Sequence, residues 1–454
     1  MGIGGISMSG IAKILLAKGY QVTGSDIKNS NSVKNLRNKG VKIVIGHDPQ
    51  TISKWGEPDL VVISNAIDDD NSELRMAQKK DIKIFKRAEM IAQLMIDKKT
   101  IAISGTHGKT TTTGLIASML QNSKNYEPTI MLGGNLDSIN GNVQIGKGDY
   151  FLIEADESDG SFLYFDPYLA VVTNIELEHL EYYTSKKKLL NTFNEFISKT
   201  NKKGKTVVWA EDKTLSEIVD INNEKIISYG FQNGELQAKN IKYLPFGSLF
   251  DIELNENKLG EINLQIPGRY NILNALAAVA SGFYLGLSFT EIKKGIEKFT
   301  GVKRRFEKKG LIDNILVIDD YAHHPTEIKE TLRAANNTGF DRVVAVFQPH
   351  RYSRTKYLFD EFCNSFANAD RLIIADVYSA DETISNEEDK ILAQKMADKC
   401  SKIYDFEVSY LENKNDIPDY LNSIVQPKDL VITIGAGDIY KSGEALVDLM
   451  RKKY

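Results

Sequence analysis

Residues 100–113 read Thr-Ile-Ala-Ile-Ser-Gly-Thr-His-Gly-Lys-Thr-Thr-Thr-Thr, and this stretch decides the fold around it. The apolar run 101–103 predicts a buried strand, and the run 110–121 predicts a helix. Gly105 and Gly108 permit a tight turn between the two elements. Such a turn aims backbone N–H groups and a helix N-terminus at one point, which is typical of a phosphate-binding site.

The residues after the turn carry the chemistry of a nucleotide site. Lys109 is placed to reach the β- and γ-phosphates, and the Thr110 hydroxyl is placed to contact Mg²⁺. Ile103 stands where the G-x-x-x-x-G-K-[ST] pattern has its first glycine, so an ordinary strand–turn–helix connection stays an alternative. The glycine, lysine and hydroxyl together favour ATP binding. The expected contacts in this loop are Gly105, Thr106, His107, Gly108, Lys109, Thr110 and Thr111.

Length and composition limit the classes of protein to which the chain can belong. A chain of 454 residues predicts two to four domains, and 42% hydrophobic with 26% charged residues is ordinary for a soluble globular protein. The net charge of −4 argues against a nucleic-acid partner. Two cysteines provide no disulfide framework or metal cluster, which fits a reducing compartment. Without a long apolar run or a signal peptide, the sequence predicts a cytoplasmic enzyme and no membrane partner.

Alternating strand-like and helix-like runs divide the chain into three α/β segments, 1–97, 98–302 and 303–454. This alternation is typical of a parallel sheet with helices on its faces. Polar stretches at 97–99 and 301–303 mark the two boundaries. Besides the elements above, strands are predicted at 20–23, 41–45, 60–64, 82–85, 150–155, 169–173, 206–209, 315–318, 342–347, 371–375 and 430–434, and helices at 271–282 and 291–299.

A second glycine-rich turn lies at residues 2–10, Gly-Ile-Gly-Gly-Ile-Ser-Met-Ser-Gly, and Asp26 follows at the spacing of a ribose-binding acid. Ser7 replaces the last glycine of the dinucleotide pattern, so a purely structural turn is the alternative. Because glycines let the backbone approach a diphosphate, we expect a nucleotide or nucleotide sugar here, separate from ATP at Lys109. Such a turn normally follows a buried strand, and we expect apolar residues upstream of Met1 in the natural chain.

Acidic residues follow the strand predicted at 150–155. Glu154 and Asp156 lie at its carboxyl end, and His179 follows the next predicted strand. Carboxylates beside a phosphate loop suggest Mg²⁺, which prefers oxygen ligands that it shares with substrate phosphates. A solvated acidic turn is the alternative. The predicted metal site therefore comprises Thr110 and Glu154, with His179 as a further nitrogen ligand.

Two more groups of polar residues are candidates for ligand binding. Asn271 and Asn274 open an alanine-rich helix, where an asparagine either caps the helix or reads an adenine edge. Arg351 and Arg354 follow a predicted strand, and guanidinium groups recognise carboxylates and phosphates through two parallel hydrogen bonds. Together with the other polar residues at strand ends in this segment, they predict a substrate site. Those residues are Asp319, Asp320, His323 and His324.

Along nearly the whole chain, the motifs stand in the order found in a known family. The chain resembles the Mur ligases and, among them, the branch that adds L-alanine. Any single motif is weak, but the ordered set is highly specific. The motifs are those at 2–10, 105–113, 154–159, 173–179, 267–271, 304–307, 319–327, 348–355 and 435–438.

The resemblance implies a three-domain α/β architecture with a Rossmann-like N-terminal domain, a central phosphate-loop ATPase domain and a Rossmann-like C-terminal domain. Segment 1–97 would bind the UDP-sugar, segment 98–302 would bind ATP, and segment 303–454 would bind the amino acid. The implied reaction joins L-alanine to the lactyl carboxylate of UDP-N-acetylmuramate through an acyl phosphate in peptidoglycan precursor synthesis. The implied cofactors are ATP and Mg²⁺.

The same resemblance implies roles for individual residues. Lys109, His323, Arg351 and Arg354 would serve catalysis. Thr110, Glu154 and His179 would arrange Mg²⁺, and Asn271 and Asn274 would meet adenine. Arg305 and Asp320 would complete the ATP site. The substrate-binding residues would be Gly4, Gly5, Ser9, Asp26, Ser64, Tyr321, His323, Arg351 and Arg354.

Three alternatives stay open. A ligase that recycles murein peptides onto the same UDP-sugar resembles the chain through its first two motifs, although 157–162 and 349–354 look more like the alanine-adding branch. A nucleotide-sensing regulatory protein on this scaffold would be expected to lose part of the set Lys109, Glu154, His179 and Arg351. A nicotinamide dehydrogenase is disfavoured by Ser7 and by the second phosphate loop.

Overall fold

The computed structural model describes residues 1–123, 125–380, 382–383 and 387–452. The chain divides into two compact units. The first unit comprises Met1–Gln237, Glu253–Leu259 and Asn274–Lys298. The second comprises Ala238–Ile252, Gly260–Leu273 and Phe299–Tyr454. The three predicted segments are a finer division, and their bounds stay predictions.

The first unit begins with two pairs of parallel strands and their helices, β1 with β2 and β3 with β4. Met1 N donates to Val62 O at 2.7 Å and Ile3 N donates to Ser25 O at 3.1 Å, so residues 1–3 bond to both pairs. The elements are α1 (Ile6–Ala17), β1 (Thr23–Asp26), α2 (Asn31–Asn38), β2 (Lys42–Ile45), β3 (Leu60–Ile63), α3 (Ser72–Lys79), β4 (Lys83–Lys86) and α4 (Arg87–Met95).

The strand of the phosphate loop, β5, lies inside a sheet with the order β11-β10-β9-β5-β8-β6-β7. Strands β12, β13 and β14 follow β11 in this order. The elements are β5 (Lys99–Ser104), α5 (Lys109–Gln121), β6 (Thr129–Leu136), β7 (Gly141–Gln144), β8 (Tyr150–Glu154), β9 (Leu169–Val172), α6 (Leu180–Tyr183), α7 (Lys186–Ser198), β10 (Lys205–Trp209), β11 (Ile226–Gly230), β12 (Leu236–Leu244), β13 (Gly247–Leu254), β14 (Asn257–Leu264), α8 (Arg269–Tyr284) and α9 (Phe289–Glu297).

The second unit contains a six-stranded sheet with the order β15-β16-β20-β17-β18-β19. Only β15 runs antiparallel to its neighbour, so the carboxyl ends of the other strands share one edge. The elements are β15 (Glu307–Ile312), β16 (Ile315–Asp320), α10 (Pro325–Asn336), β17 (Arg342–Phe347), α11 (Tyr352–Tyr357), α12 (Phe359–Cys363), β18 (Arg371–Ala375), α13 (Glu387–Lys390), α14 (Leu392–Ile403), β19 (Val408–Leu411), α15 (Ile417–Ile424), β20 (Asp429–Ile434) and α16 (Tyr440–Lys452).

Each unit has its own hydrophobic core. In the first unit, Ile11 of α1 and Ile91 of α4 pack in one cluster with Ala102 of β5 and Ile153 of β8. Burial of apolar side chains on this scale is the main term that stabilises such a sheet. In the second unit, apolar side chains cover both faces of the sheet. The two cysteines, which lie on α12 and α14, are unpaired and buried in the second core. Among the described helices, none has the length and apolar character to cross a bilayer.

Most predicted elements appear within a few residues of their expected positions. The strands predicted at 342–347 and 371–375 match β17 and β18. The strand predicted at 20–23 is wrong by three residues, because α1 ends in a turn at Lys18 and Gly19 and leaves Tyr20 61% exposed. The sequence analysis missed β6, β7, β11–β15 and β19, whose residues are not continuously buried along the strand.

The contact between α5 and α9 depends on a glycine. A Cβ built at Gly295 would lie 2.4 Å from Met119 Cα, so a side chain there would push α9 away from the helix that follows the phosphate loop. We expect Gly295→Ala to lower the free energy of unfolding by about 1–3 kcal/mol. The measurement is equilibrium denaturation with urea. The control is Lys294→Ala at the adjacent exposed position, which should change stability by less than about 0.5 kcal/mol. An unchanged midpoint for the glycine variant would contradict close packing here.

Candidate active site

The phosphate loop can form only because two of its positions lack a side chain. Gly105 has φ 126° and Gly108 has φ 83°, a region that favours glycine. A Cβ at Gly105 would lie 2.2 Å from Thr173 Oγ1, and one at Gly108 would lie 2.3 Å from Asn274 Oδ1. Gly108 is also the N-cap of α5. The backbone therefore turns from β5 into α5 in the conformation that the sequence predicts for a phosphate cradle.

The Lys109 side chain folds back over this loop. Its Nζ donates to Gly105 O at 2.6 Å and to Thr106 O at 3.0 Å. It also donates to Glu157 Oε1 at 2.7 Å, in an ion pair whose carboxylate side chain is 2% exposed. Lys109 therefore lies at the place where the sequence predicts contact with phosphate, and it is held there by three acceptors of the protein.

The ion pair and the burial of its two members shift the pKa of both side chains. Burial alone would lower the pKa of Lys109, but the Glu157 carboxylate outweighs this effect and raises the pKa above its ordinary value. Burial raises the pKa of Glu157, but the Lys109 ammonium 2.7 Å away opposes the rise and favours the ionised carboxylate. Glu157 was not among the predicted site residues. Its place in the Glu-Ala-Asp-Glu run after a buried strand was the only signal in the sequence that could have identified it.

Two of the predicted metal ligands lie together. Thr110 Oγ1 donates to Glu154 Oε1 at 2.9 Å, and Gly133 N donates to Glu154 Oε2 at 2.9 Å. A hydroxyl and a carboxylate at the mouth of a phosphate loop are the oxygen donors that Mg²⁺ prefers, so this part of the set fits the ion. His179 Nε2 lies 3.9 Å from Oε1 of Glu157, the carboxylate that pairs with Lys109, and its contact with the same ion stays a prediction.

The far side of the loop is tied to the segment after β9. His107 Nε2 lies 2.9 Å from Glu176 Oε2, and His107 N donates to Asn174 Oδ1 at 2.9 Å. Thr106 Oγ1 donates to Glu176 O at 3.1 Å. The His107 ring is thus engaged with a carboxylate of the protein. These bonds fix the loop from a second direction.

The two asparagines of α8 have different partners. Asn274 Oδ1 accepts from Thr112 Oγ1 at 3.3 Å and lies against Gly108, so it contacts the phosphate-loop helix. Asn271 Nδ2 donates to Pro267 O at 2.6 Å at the start of α8. In this bond the Asn271 amide donates, whereas the side chain of an N-cap accepts from a backbone N–H, so it is a local bond but not a cap. The contact of Asn271 with adenine stays a prediction.

The N-terminal glycine turn is held by the predicted ribose-binding acid. Asp26 Oδ2 accepts from Gly4 N at 2.8 Å, and Asp26 Oδ1 accepts from Lys28 N at 2.9 Å. A Cβ at Gly4 would lie 2.8 Å from Val33 Cγ2. The turn therefore approaches β1 and α2 closely, as the glycines predict. Part of the hydrogen-bonding capacity of Asp26 serves the turn itself.

The other residues predicted to bind the UDP-sugar surround this turn. Gly5 is the N-cap of α1. Ser9 is 2% exposed and its hydroxyl donates to Ile6 O at 2.9 Å, so it bonds within its own helix. Ser64 lies behind Gly2, where a Cβ would be 2.9 Å from Ser64 Cβ. Their ligand contacts stay predictions.

In the second unit, Asp320 organises the chain next to the predicted amino-acid site. It lies at the end of β16, where its carboxylate accepts from Phe306 N at 2.7 Å and from Ala322 N at 2.8 Å. Burial raises the pKa of Asp320 to about 6, and Arg305 opposes the rise. Arg305 also lies 3.6 Å from Glu327 and over the Tyr321 ring.

Aromatic and basic side chains meet at the carboxyl edge of this sheet. The rings of Tyr321 and His323 are 5.4 Å apart, and the rings of His323 and His350 are 6.2 Å apart. His350 stacks on Tyr378 at 5.4 Å. Burial, followed by the nearby cationic residues, lowers the pKa of His350 to about 3, so this imidazole is neutral at physiological pH.

The two predicted arginines, Arg351 and Arg354, closely follow His350 in the sequence. Arg354 lies 3.3 Å from His350 Nδ1, and Arg351 N donates to Tyr378 O at 2.8 Å. Arg351 has φ 69°, a left-handed conformation that is uncommon for a residue with a side chain and often occurs at functional sites. The structure therefore brings Tyr321, His323 and Arg354 to one edge. Arg304, which the predicted site omitted, packs over Tyr321 and Tyr440 and pairs with Asp319 at 3.1 Å.

Comparison with known proteins gives three consecutive family matches. The model described as "Mur ligase family, catalytic domain" matches residues 1–99. The model described as "Mur ligase middle domain" matches 103–282, and "Mur ligase, glutamate ligase domain" matches 304–437. Together these matches cover most of the chain.

Individual relatives agree with the family matches. A UDP-N-acetylmuramate–L-alanine ligase of Trichlorobacter lovleyi is 44% identical over 450 residues, which cover 98% of this chain and 97% of that protein. The crystal structure of a UDP-N-acetylmuramate–alanine ligase from Thermotoga maritima has a TM-score of 0.83 and 30% identity, and the match covers 100% of this chain and 98% of that one.

A murein peptide ligase from Psychrobacter arcticus is less similar, with a TM-score of 0.69 and 23% identity. The match covers 99% of this chain and 97% of that one, and at this identity it shows the fold alone. The family matches and the 44% identity over nearly the full length show that the chain belongs to the Mur ligase family, which confirms the family predicted from the order of its motifs.

Proposed function

We propose that the protein joins L-alanine to the lactyl carboxylate of UDP-N-acetylmuramate at the expense of ATP. The products are UDP-N-acetylmuramoyl-L-alanine, ADP and phosphate, in peptidoglycan precursor synthesis. The observation that carries the proposal is the phosphate loop in which Lys109, Thr110 and Glu154 converge after β5 and β8. The names of the two UDP-N-acetylmuramate–alanine ligases described above support the choice of substrates.

The reaction has two steps. An oxygen of the lactyl carboxylate attacks the γ-phosphorus of ATP, the bond to the β-phosphate oxygen breaks, and an acyl phosphate and ADP form. The amine of L-alanine then attacks the acyl carbon, phosphate leaves with the bonding electron pair, and the amine loses a proton. Lys109 stabilises the charge on the transferring phosphoryl group by position and electrostatics. A general base among His323, His324 and the nearby carboxylates would accept this proton.

Thr110, Glu154 and His179 would hold Mg²⁺, which supplies charge neutralisation on the phosphates when bound. The hydroxyl and carboxylate are already hydrogen-bonded at 2.9 Å, so little rearrangement is needed to present two oxygens to one ion. His107 and Thr111 complete the loop that receives the phosphates. Asn271, Asn274, Arg305 and Asp320 are proposed for the rest of the ATP site.

The carboxyl edge of the six-stranded sheet in the second unit would bind the acceptor substrates. Arg351 and Arg354 offer planar guanidinium groups to the carboxylates of L-alanine and the muramoyl group. The neutral His350 and the Tyr321 ring offer an uncharged wall beside them. In the first unit, the turn around Gly4 and its neighbours Gly5, Ser9, Asp26 and Ser64 would bind the UDP-sugar.

The deciding experiment measures phosphate release from ATP in the presence of UDP-N-acetylmuramate. We expect release with L-alanine and little release with the murein tripeptide. The reverse preference would indicate a murein peptide ligase. ATP binding without amide formation in either mixture would indicate a nucleotide sensor on the same scaffold.

We predict that Lys109→Ala abolishes ligation and leaves the fold intact. The loss of this electrostatic contact should lower kcat by at least about a hundredfold, as is typical when one preorganised contact to a charged transition state is removed. Steady-state phosphate release measures kcat, and circular dichroism checks the fold. Lys186→Ala, which removes an exposed ion pair with Glu217, is the control and should turn over normally. Near-normal turnover of the Lys109 variant would refute its role.

We predict that Glu154→Gln and His179→Ala each raise the Mg²⁺ concentration needed for half-maximal activity, because each removes a proposed ligand of the same ion. Magnesium titrations of activity at saturating ATP give this value. Asp166→Asn, which removes an exposed carboxylate, is the matched control. If the titrations of both variants overlay that of the parent, the metal assignment is wrong while the phosphate loop stands.

We predict that Arg351→Lys lowers kcat/KM for L-alanine by at least about tenfold, because lysine offers a point charge where two parallel hydrogen bonds are proposed. The KM for ATP should change little. Arg371→Lys is the control, since Arg371 pairs with Glu407, the residue directly before the neighbouring strand β19 of the same sheet. A selective loss of ATP affinity would reassign this loop to the nucleotide.

A further inference from the structure

The buried carboxylate of Glu157 has no role in the mechanism above. Its side chain is 2% exposed, and the main chain at this position is fixed because Tyr183 OH donates to Glu157 O at 2.5 Å. Oε1 accepts from Lys109, whereas Oε2 has no hydrogen-bond partner among the residues that the structure describes. A buried carboxylate with an unused oxygen is costly, so a compensating function is expected.

The cationic partner of Glu157 is fully engaged in this structure. A lysine ammonium has three donors, and here they go to Gly105 O, Thr106 O and Glu157 Oε1 at 2.6, 3.0 and 2.7 Å. For Lys109 to contact a nucleotide phosphate, at least one of these bonds must be exchanged. The two carbonyls are neutral and belong to the loop, whereas Glu157 is the anionic acceptor and therefore the direct rival of a phosphate.

We propose that Glu157 is a positioning residue that holds the Lys109 ammonium in the phosphate loop and competes for it with the β- and γ-phosphates of the nucleotide. The proposal rests on the proposed function, in which Lys109 binds phosphate. Glu157 keeps the lysine ordered before the nucleotide arrives, at a cost in ground-state affinity.

The test is calorimetric binding of ADP, of the non-hydrolysable imido analogue of ATP, and of AMP, each with Mg²⁺ and without the other substrates. Glu157→Gln retains the shape of the side chain but offers Lys109 a weaker, uncharged acceptor. We expect it to bind ADP and the imido analogue about three- to tenfold more tightly than the parent. AMP, which has no phosphate beyond the α position, should bind both proteins equally.

A double-mutant cycle separates competition for the lysine from a general effect of charge. In a Lys109→Met background, Glu157→Gln should give no further gain for ADP, because the contested ammonium is gone. Asp159→Asn is the matched control, since it removes a carboxylate of the same loop that pairs with Arg87 at 3.3 Å. It should leave the difference between ADP and AMP unchanged.

The outcomes distinguish this proposal from the proposed function. If Lys109→Met binds ADP as the parent does, the assignment of Lys109 to phosphate fails. If Lys109→Met weakens ADP but Glu157→Gln leaves affinity unchanged, lowers it, or raises AMP affinity equally, the competition fails alone. Thermal melting checks the fold of each variant. Should Glu157→Gln be unfolded, Glu157→Asp, which withdraws the carboxylate by one methylene, should show a smaller gain confined to ADP and the imido analogue, and no gain would overturn the proposal.

Discussion

The placement of β5 between β8 and β9 is the constraint on which the candidate nucleotide site depends. Parallel neighbours on both sides bring their carboxyl ends to the same edge as the phosphate loop. From β8 come Glu154 and the loop that carries Glu157, and from β9 come Thr173 and Asn174. The contacts of the loop and its lysine with Glu157, Thr173 and Asn174 therefore follow from strand order.

Steric exclusion adds to this constraint. The loop is packed so closely at Gly108 that the amide of Asn274 occupies the space where a Cβ would stand. Because Asn274 also accepts from Thr112, the start of α5 is held against α8 by a polar contact. The helix N-terminus is thus fixed before any ligand is present, which is the condition for an effective anion site.

The sequence alone predicted the elements whose signals are local. Continuous apolar runs such as Arg342–Phe347 identify buried parallel strands because both faces of such a strand are covered. The mixed burial of Leu236–Leu244 gives no comparable run, and its strand was missed. The sequence also placed the start of β1 three residues too early. Tyr20 is exposed after the end of a helix, and its residue type alone does not reveal that exposure.

The candidate site was predictable where a motif carries its own geometry and not where partners are distant in sequence. The glycines, Lys109 and Thr110 lie within one turn, and their arrangement follows from the motif. The bond between Lys109 and Glu157 spans 48 positions, so only the tertiary fold reveals it. The same is true of the stacking of His350 on Tyr378. These contacts are also the ones that decide how charged groups behave in the site.

The burial of both cysteines has a practical consequence for experiments in solution. Cys363 and Cys400 lie in the core of the second unit, closed off from water, and the chain contains two cysteines in all. A thiol introduced at an exposed position would therefore react with maleimide dyes far faster than either native thiol. The two native cysteines therefore need not be replaced. Fluorophore pairs can be attached through introduced thiols to an otherwise unaltered chain for distance measurements during turnover.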